Sequence, residues 1–172
     1  MLAALGEVAA NDWREFFRAR VYERNPRAPL GGIEGAGWKL TYTNTIPDWV
    51  KLQESKSKTT DLRFSLGLLI TEDGRIEDVI PGSAADKAGM SPAMKLVAVN
   101  GRHWAPELLR TAIKSATKGT EPIELLVEND EFFKSSKLDY HDGEKYPQLE
   151  RESGQPDLLT EILKPLTPEP QR

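Results

Sequence analysis

LRFSLGLLITEDGRIEDVIPGSAADKAGMSPAMKLVAVNGRHW, residues 62–104, decides the fold of this chain. An apolar run from Phe64 to Ile70 is broken once, by Gly67, and predicts a strand. Glu72-Asp73-Gly74 is a turn signal, and Arg75 to Ile80 predicts a second strand that ends at Pro81-Gly82. Ser83 and Asp86 have the spacing of a capping box, in which each side chain satisfies a free backbone N–H at a helix start. Gly89 suits the left-handed position just beyond that helix. Met94 to Val99 predicts a third strand. Asn100-Gly101 then predicts a tight hairpin turn, because both residues accept a positive φ.

Outward from this stretch, Pro106 to Thr117 predicts a second helix. Leu109, Ala112, Ile113 and Ala116 fall at i, i+3, i+4 and i+7 and make one apolar stripe. Gly119 ends it. Ile123, Leu125 and Val127 face one way on a strand from Pro122 to Glu128, Asn129-Asp130 turns the chain, and Glu131 to Tyr140 returns as its partner.

The order and spacing of three motifs in this region resemble a PDZ domain over roughly 61–140. They are Ser65-Leu66-Gly67-Leu68, the run Pro81-Gly82-Ser83-Ala84-Ala85 with Ala88-Gly89-Met90, and Leu96-Val97-Ala98-Val99-Asn100-Gly101. The resemblance implies an α+β fold: a small barrel-like sandwich of about five strands and two helices, in the circularly permuted bacterial form. It also implies a module that captures an extended peptide C-terminus as an added strand. The carboxylate loop would be Arg63, Ser65, Leu66, Gly67 and Leu68, with the N–H groups of Leu66, Gly67 and Leu68 converging on the anion and Arg63 adding charge or holding a water. The groove would be lined by Ile70, Leu109, Ala112, Ile113 and Ala116. An apolar helix stripe is also the ordinary signature of a core, so both readings of Leu109 and Ile113 stand at this stage. Ala105-Pro106-Glu107 occupies the place where many PDZ domains carry a histidine that selects a ligand hydroxyl. The expected preference is therefore apolar.

Composition narrows the classes. The chain has 172 residues, 23 Lys and Arg against 27 Asp and Glu, and no cysteine. That suits one domain with extra elements or two small ones. A net charge of −4 gives no footprint for nucleic acid. No disulfide or thiolate metal site is possible. No apolar run approaches the ~18 residues of a membrane span, and the opening MLAALGEVAANDW lacks the basic start of a signal peptide.

The flanks are less patterned. Asp12 and Glu15 predict a helix start, and Trp13, Phe16, Phe17 and Val21 recur at helical spacing with Arg14, Arg18 and Arg20 between them, so an amphipathic helix is expected over 12–23. Asn25 to Gly37, with Pro26, Pro29 and four glycines, reads as a loop. GGIEGAG lacks the Gly-Lys-Ser/Thr ending of a phosphate loop. Trp38 to Thr43 alternates as a half-buried strand, and Pro47 opens a short helix through Gln53. ESKSKTT, residues 54–60, reads as a polar linker, and His141 to Gln155 as irregular. Asp157 to Leu163 reads as a short apolar helix before Pro165, Pro168 and Pro170 loosen the end.

These flanks carry a second resemblance. Asp12-Trp13-Arg14-Glu15-Phe16-Phe17, Pro29-Leu30-Gly31-Gly32, Gly37-Trp38-Lys39-Leu40, Glu121 to Asn129, Leu138-Asp139-Tyr140-His141, Tyr146-Pro147 and Pro156-Asp157-Leu158-Leu159 are similar to the glycyl aminopeptidase family, bacterial zinc metallopeptidases with a thermolysin-like catalytic domain followed by a PDZ domain. The resemblance implies a C-terminal fragment: 1–60 from the end of the catalytic region, 61–140 the PDZ domain, and 141–172 an extension. Zinc would belong to the missing catalytic domain. The chain itself lacks His-Glu-x-x-His, the pair of imidazoles one helical turn apart that holds the metal. Its histidines, His103 and His141, are far apart and read as surface residues. No Gly-x-Ser-x-Gly elbow is present. No catalytic residue, metal ligand or cofactor is therefore expected in this chain, and no compartment follows. Two functions remain open. One is a binding module for peptide or protein C-termini. The other is a structural domain that docks on its own catalytic domain, with its groove closed by its own flanks.

Overall fold

The computed structural model describes residues 1–25, 28–165 and 167. Pro26, Pro168 and Pro170, read from sequence as chain breakers, lie outside the described residues. The chain divides into two units, Thr41–Gln148 and Met1–Leu40 with Leu149–Arg172. Strands β1 (Trp38–Thr43) and β9 (Tyr146–Arg151) pair with each other, and both run through the division.

The unit Thr41–Gln148 is α+β, and it holds the large apolar core. It contains α4 (Asp48–Ser57), β2 (Thr59–Leu62), β3 (Leu68–Thr71), β4 (Ile76–Val79), α5 (Ala84–Lys87), β5 (Lys95–Val99), β6 (Arg102–His103), α6 (Pro106–Ala116), β7 (Ile123–Asn129) and β8 (Phe132–Leu138). One antiparallel sheet has the order β2-β3-β4, the other β6-β5-β7-β8. The Arg75–Lys95 bridge and backbone bonds between Ile76 and Met94, and from Leu96 to Gly74, join them into a barrel-like wall. α6 buries Leu109, Ala112, Ile113 and Ala116 against the inward side chains of β5 and β7. The stripe read from sequence is therefore core. Burying Leu109 and Ile113 contributes about 1.5–3 kcal/mol each before entropy is set against it.

Local chemistry explains the joints. Ser83 Oγ accepts the Asp86 N–H at 3.2 Å, the expected cap of α5, but Asp86 Oδ2 accepts the Gly82 N–H at 2.7 Å in place of the Ser83 N–H, which donates to the Ile80 carbonyl. Gly89, Asn100 and Gly101 all have positive φ, as their turns require. The strand expected from Phe64 to Ile70 instead begins at Leu68. Ser65 and Gly67 both donate to the Leu62 carbonyl, which folds 62–67 into a tight turn. ESKSKTT is not a linker. Its first half completes α4, which ends at Lys58 in the left-handed conformation, and its last two residues open β2. Seven strands result over 59–138 rather than about five, because β2 and the two-residue β6 were too short to show a period.

The other unit carries α1 (Leu2–Val8), α2 (Trp13–Phe17) running on as a π-helical turn (Arg18–Tyr22), α3 (Gly31–Gly35) and α7 (Leu158–Leu163). Asp12 caps α2 by accepting the Glu15 N–H, as the sequence predicts. None of these helices has a buried residue. Trp13, Phe16 and Phe17 stay half-buried and stack edge to face. Asp157 ties the unit together: its carboxylate accepts from Trp38 Nε1 at 2.9 Å and from the Thr160 N–H at 3.1 Å. The Trp38 bond leads in holding that carboxyl below its ordinary range. Two irregular stretches proved ordered, since α3 lies within 25–37 and β9 within 141–155. β9 was hidden because its pairing partner, β1, lies a hundred residues away in the chain.

Candidate functional site: strand β2 on the edge of β3

The groove expected from sequence lies between β3 and α6. β3 pairs with β4 on one edge and with β2 on the other, both antiparallel. No edge of β3 is left for an added strand. The register of β2 sets Thr59 opposite Thr71, Thr60 opposite Ile70, Asp61 opposite Leu69 and Leu62 opposite Leu68. β2 thus runs antiparallel to β3 with its C-terminal end at the Ser65–Leu68 turn, the direction a C-terminal peptide takes in strand addition.

The end of β2 reproduces the chemistry of such a ligand. The Leu62 carbonyl oxygen accepts from the N–H groups of Ser65 and Gly67, each at 3.0 Å. Of the three N–H groups expected to receive a carboxylate, only that of Gly67 is engaged by this carbonyl; its second donor is Ser65. The Leu62 side chain is 1 % exposed and packs in the same core cluster as Leu66, Leu68, Ile70, Leu109 and Ile113, all 0 % exposed. Thr60, two residues earlier, is 3 % exposed. Gly67 has φ 88°, and a Cβ there would run into the Ser83 side chain, so only glycine fits the turn.

The remaining predicted residues are placed as follows. Arg63 faces back to Asp61: its Nε and Nη2 donate to the carboxylate at 3.0 and 2.7 Å, and its N–H donates at 3.1 Å. Burial pushes the Asp61 carboxyl up, but these Arg63 bonds outweigh it and leave it below the usual carboxylate range. Ser65 is nearly buried and its hydroxyl accepts the Lys145 N–H at 3.0 Å. The Leu66 and Gly67 carbonyls accept from Ala85 and Ile80. Ala112 and Ala116, each 7 % exposed, belong to the core.

Two residues that matter to this arrangement were missed from sequence, Glu54 and Arg110. Glu54 Oε1 accepts the Asp61 N–H at 2.7 Å, and both its oxygens pair with Arg110 Nη2 at 2.7 and 2.9 Å. Arg110 Nη1 also donates to Glu144 Oε2 at 2.7 Å and contacts the Tyr146 hydroxyl. Burial works against the Arg110 charge, yet Glu54, Tyr146 and Glu144 more than offset it and hold the guanidinium protonated. Glu54 falls in the polar stretch ESKSKTT, which carries no apolar period, and Arg110 lies off the apolar stripe of α6. The D-x-R pair at 61–63 and the i, i+2 placing of Thr60 and Leu62 were the available signals.

Among the described residues, no three His, Cys, Asp or Glu side chains come together as a metal site. His103 is exposed. His141 Nδ1 lies 2.8 Å from the Ala116 carbonyl and its Nε2 lies 3.0 Å from Asp139.

No protein-family profile matches the chain, and no curated protein matches it. Solved structures do. An aminopeptidase N family protein from Idiomarina loihiensis aligns at TM-score 0.58 and 14 % identity, over 95 % of this chain and 28 % of that one. An HtrA3 PDZ domain bound to a phage-derived ligand (FGRWV) aligns at TM-score 0.31 and 15 % identity, over 69 % of this chain and 95 % of that domain. The chain spans under a third of the length of the aminopeptidase N family protein, and the likeness is one of fold.

Proposed function

We propose that the chain is a non-catalytic, PDZ-like part of a larger peptidase of the aminopeptidase type, and that its groove is filled by its own strand β2. The module then serves as a structural and docking element beside a zinc-dependent catalytic domain, and does not capture free peptide C-termini. The observation that carries this reading is the Leu62 carbonyl held by Ser65 and Gly67, with Thr59–Leu62 laddered onto β3. The motif order along the chain and the fold likeness over 95 % of it support the peptidase context. The half-buried Trp13, Phe16 and Phe17, on helices without buried residues, supply an apolar surface of the kind that marks an interface.

A titration tests it. The full chain is mixed with peptides carrying free or amidated C-termini while the backbone amide resonances of Leu66 to Thr71 are followed. No shift is expected with either set. Shifts with free but not amidated peptides would show an open carboxylate groove and restore the peptide-capture reading.

A further inference from the structure

We infer that Glu54 and Arg110 form a latch that keeps β2 in the groove, so that the groove is closed conditionally and opens when this pair is broken. The inference rests on reading β2 as the groove's occupant. β2 is four residues long, and its inward side chains, Thr60 and Leu62, are held by packing. Its outward side is held differently. The Asp61 N–H points away from β3, and its partner is the Glu54 carboxylate at 2.7 Å. The same carboxylate pairs with Arg110 on α6, the helix that forms the opposite wall of the groove. Any peptide entering between β3 and α6 must first separate β2 from that wall. Glu54 ties β2, α4 and α6 to one another through a single group.

The latch is anchored from behind. Arg110 also holds Glu144, whose side chain is 3 % exposed, and Lys114 Nζ lies 3.7 Å from the other Glu144 oxygen. That oxygen has no hydrogen-bond partner among the described residues. Two cations therefore face two carboxylates. Removing Glu54 leaves the Asp61 N–H without its acceptor and Arg110 with one carboxylate fewer. Buried groups stripped of partners lose most of what held them. Local opening of β2, with the rest of the barrel intact, is the expected response.

Hydrogen exchange on the full chain tests the latch directly. The Gly67 and Glu72 amides report on β2, because they donate to the Leu62 and Lys58 carbonyls. The Asn100 and Trp104 amides, which donate to Glu124 and Val97, report on the other sheet. In Glu54→Ala the first pair should exchange about tenfold faster or more, with the second pair unchanged. Glu54→Gln keeps an acceptor for Asp61 but loses the charge, and should fall between; it serves as the readout if the alanine variant fails to fold. A probe peptide with the sequence of the occupant, Lys-Thr-Thr-Asp-Leu with a free carboxylate, should shift the Leu68 to Thr71 amides of the variant and leave the unmodified chain unaffected. Equal acceleration at all four amides, or none at Gly67 and Glu72, overturns the latch and leaves the occupant reading standing. Binding of the probe by the unmodified chain at Leu68 to Thr71 overturns the occupant reading itself, and the latch with it.

Discussion

Arg110 is the residue on which the two sides of the groove meet. Arg110→Ala should cost about 3–5 kcal/mol in urea unfolding, because it strands Glu144 and Glu54 in a half-buried site. Arg110→Lys should recover part of this, since an ammonium offers no bidentate fork. Gly67 is constrained by geometry rather than charge. Gly67→Ala demands a left-handed alanine against Ser83, and should destabilise by at least about 1–2 kcal/mol in the same assay. His141 gives a pH signature. The Ala116 carbonyl, then Asp139, raise its pKa above the ordinary value of about 6.5. A raised folded-state pKa means its contribution is fully present below the unfolded value and lost as pH rises through the folded one. An NMR titration of the His141 ring should therefore give a midpoint above about 6.5, and Asp139→Asn should move it down.

The elements show where local pattern and tertiary context agree and where they part. α6 was legible from its i, i+3, i+4, i+7 stripe and β7 from the alternation of Ile123, Leu125 and Val127, while β8 followed from the Asn129-Asp130 turn. β2 and β9 were not, since four to six residues carry too little pattern and their partners are distant. Lys58, at the end of α4, is a local misfit that the fold tolerates: φ is 57°, a region that costs a side-chain-bearing residue. Lys58→Gly should stabilise by roughly 0.5–1 kcal/mol, read as a rise in unfolding midpoint, because glycine takes the left-handed cap without strain. Ile113→Asp should prevent folding altogether, as a carboxylate would be set into a fully buried position on α6. Loss of the cooperative transition in circular dichroism is the expected result.

At the scale of the whole molecule, apolar burial is unevenly distributed. The clustered core lies within 62–138, whereas α1, α2, the π-helical turn and α3 bury no residue. Limited proteolysis should therefore cut within 1–36 well before the β5–β7–β8 sheet, with the fragments identified by mass spectrometry. The chain should also show neither stoichiometric zinc on metal analysis nor chelator-sensitive aminopeptidase turnover, given the missing His-Glu-x-x-His. Either signal would place a catalytic centre where the sequence offers no ligands for one.

By itself the sequence determined the α+β class, the order of the main strands and helices from Arg75 onward, the apolar stripe of α6 and the tight turns at Gly89 and Asn100-Gly101. These follow from side-chain period and from the φ values that glycine and asparagine accept, which are properties of neighbouring residues. Only the tertiary structure decided that β2 takes the second edge of β3, the pairing on which the filled-groove proposal rests. That outcome depends on Thr59–Leu62 turning back along β3, on the Leu62 carbonyl meeting two N–H groups, and on Glu54 and Arg110 closing from α4 and α6. Leu66, Leu68 and Ile70 would show the same apolar pattern beside a bound peptide or beside β2. Burial against a particular partner is a property of the folded chain, and side-chain period cannot report which partner it is.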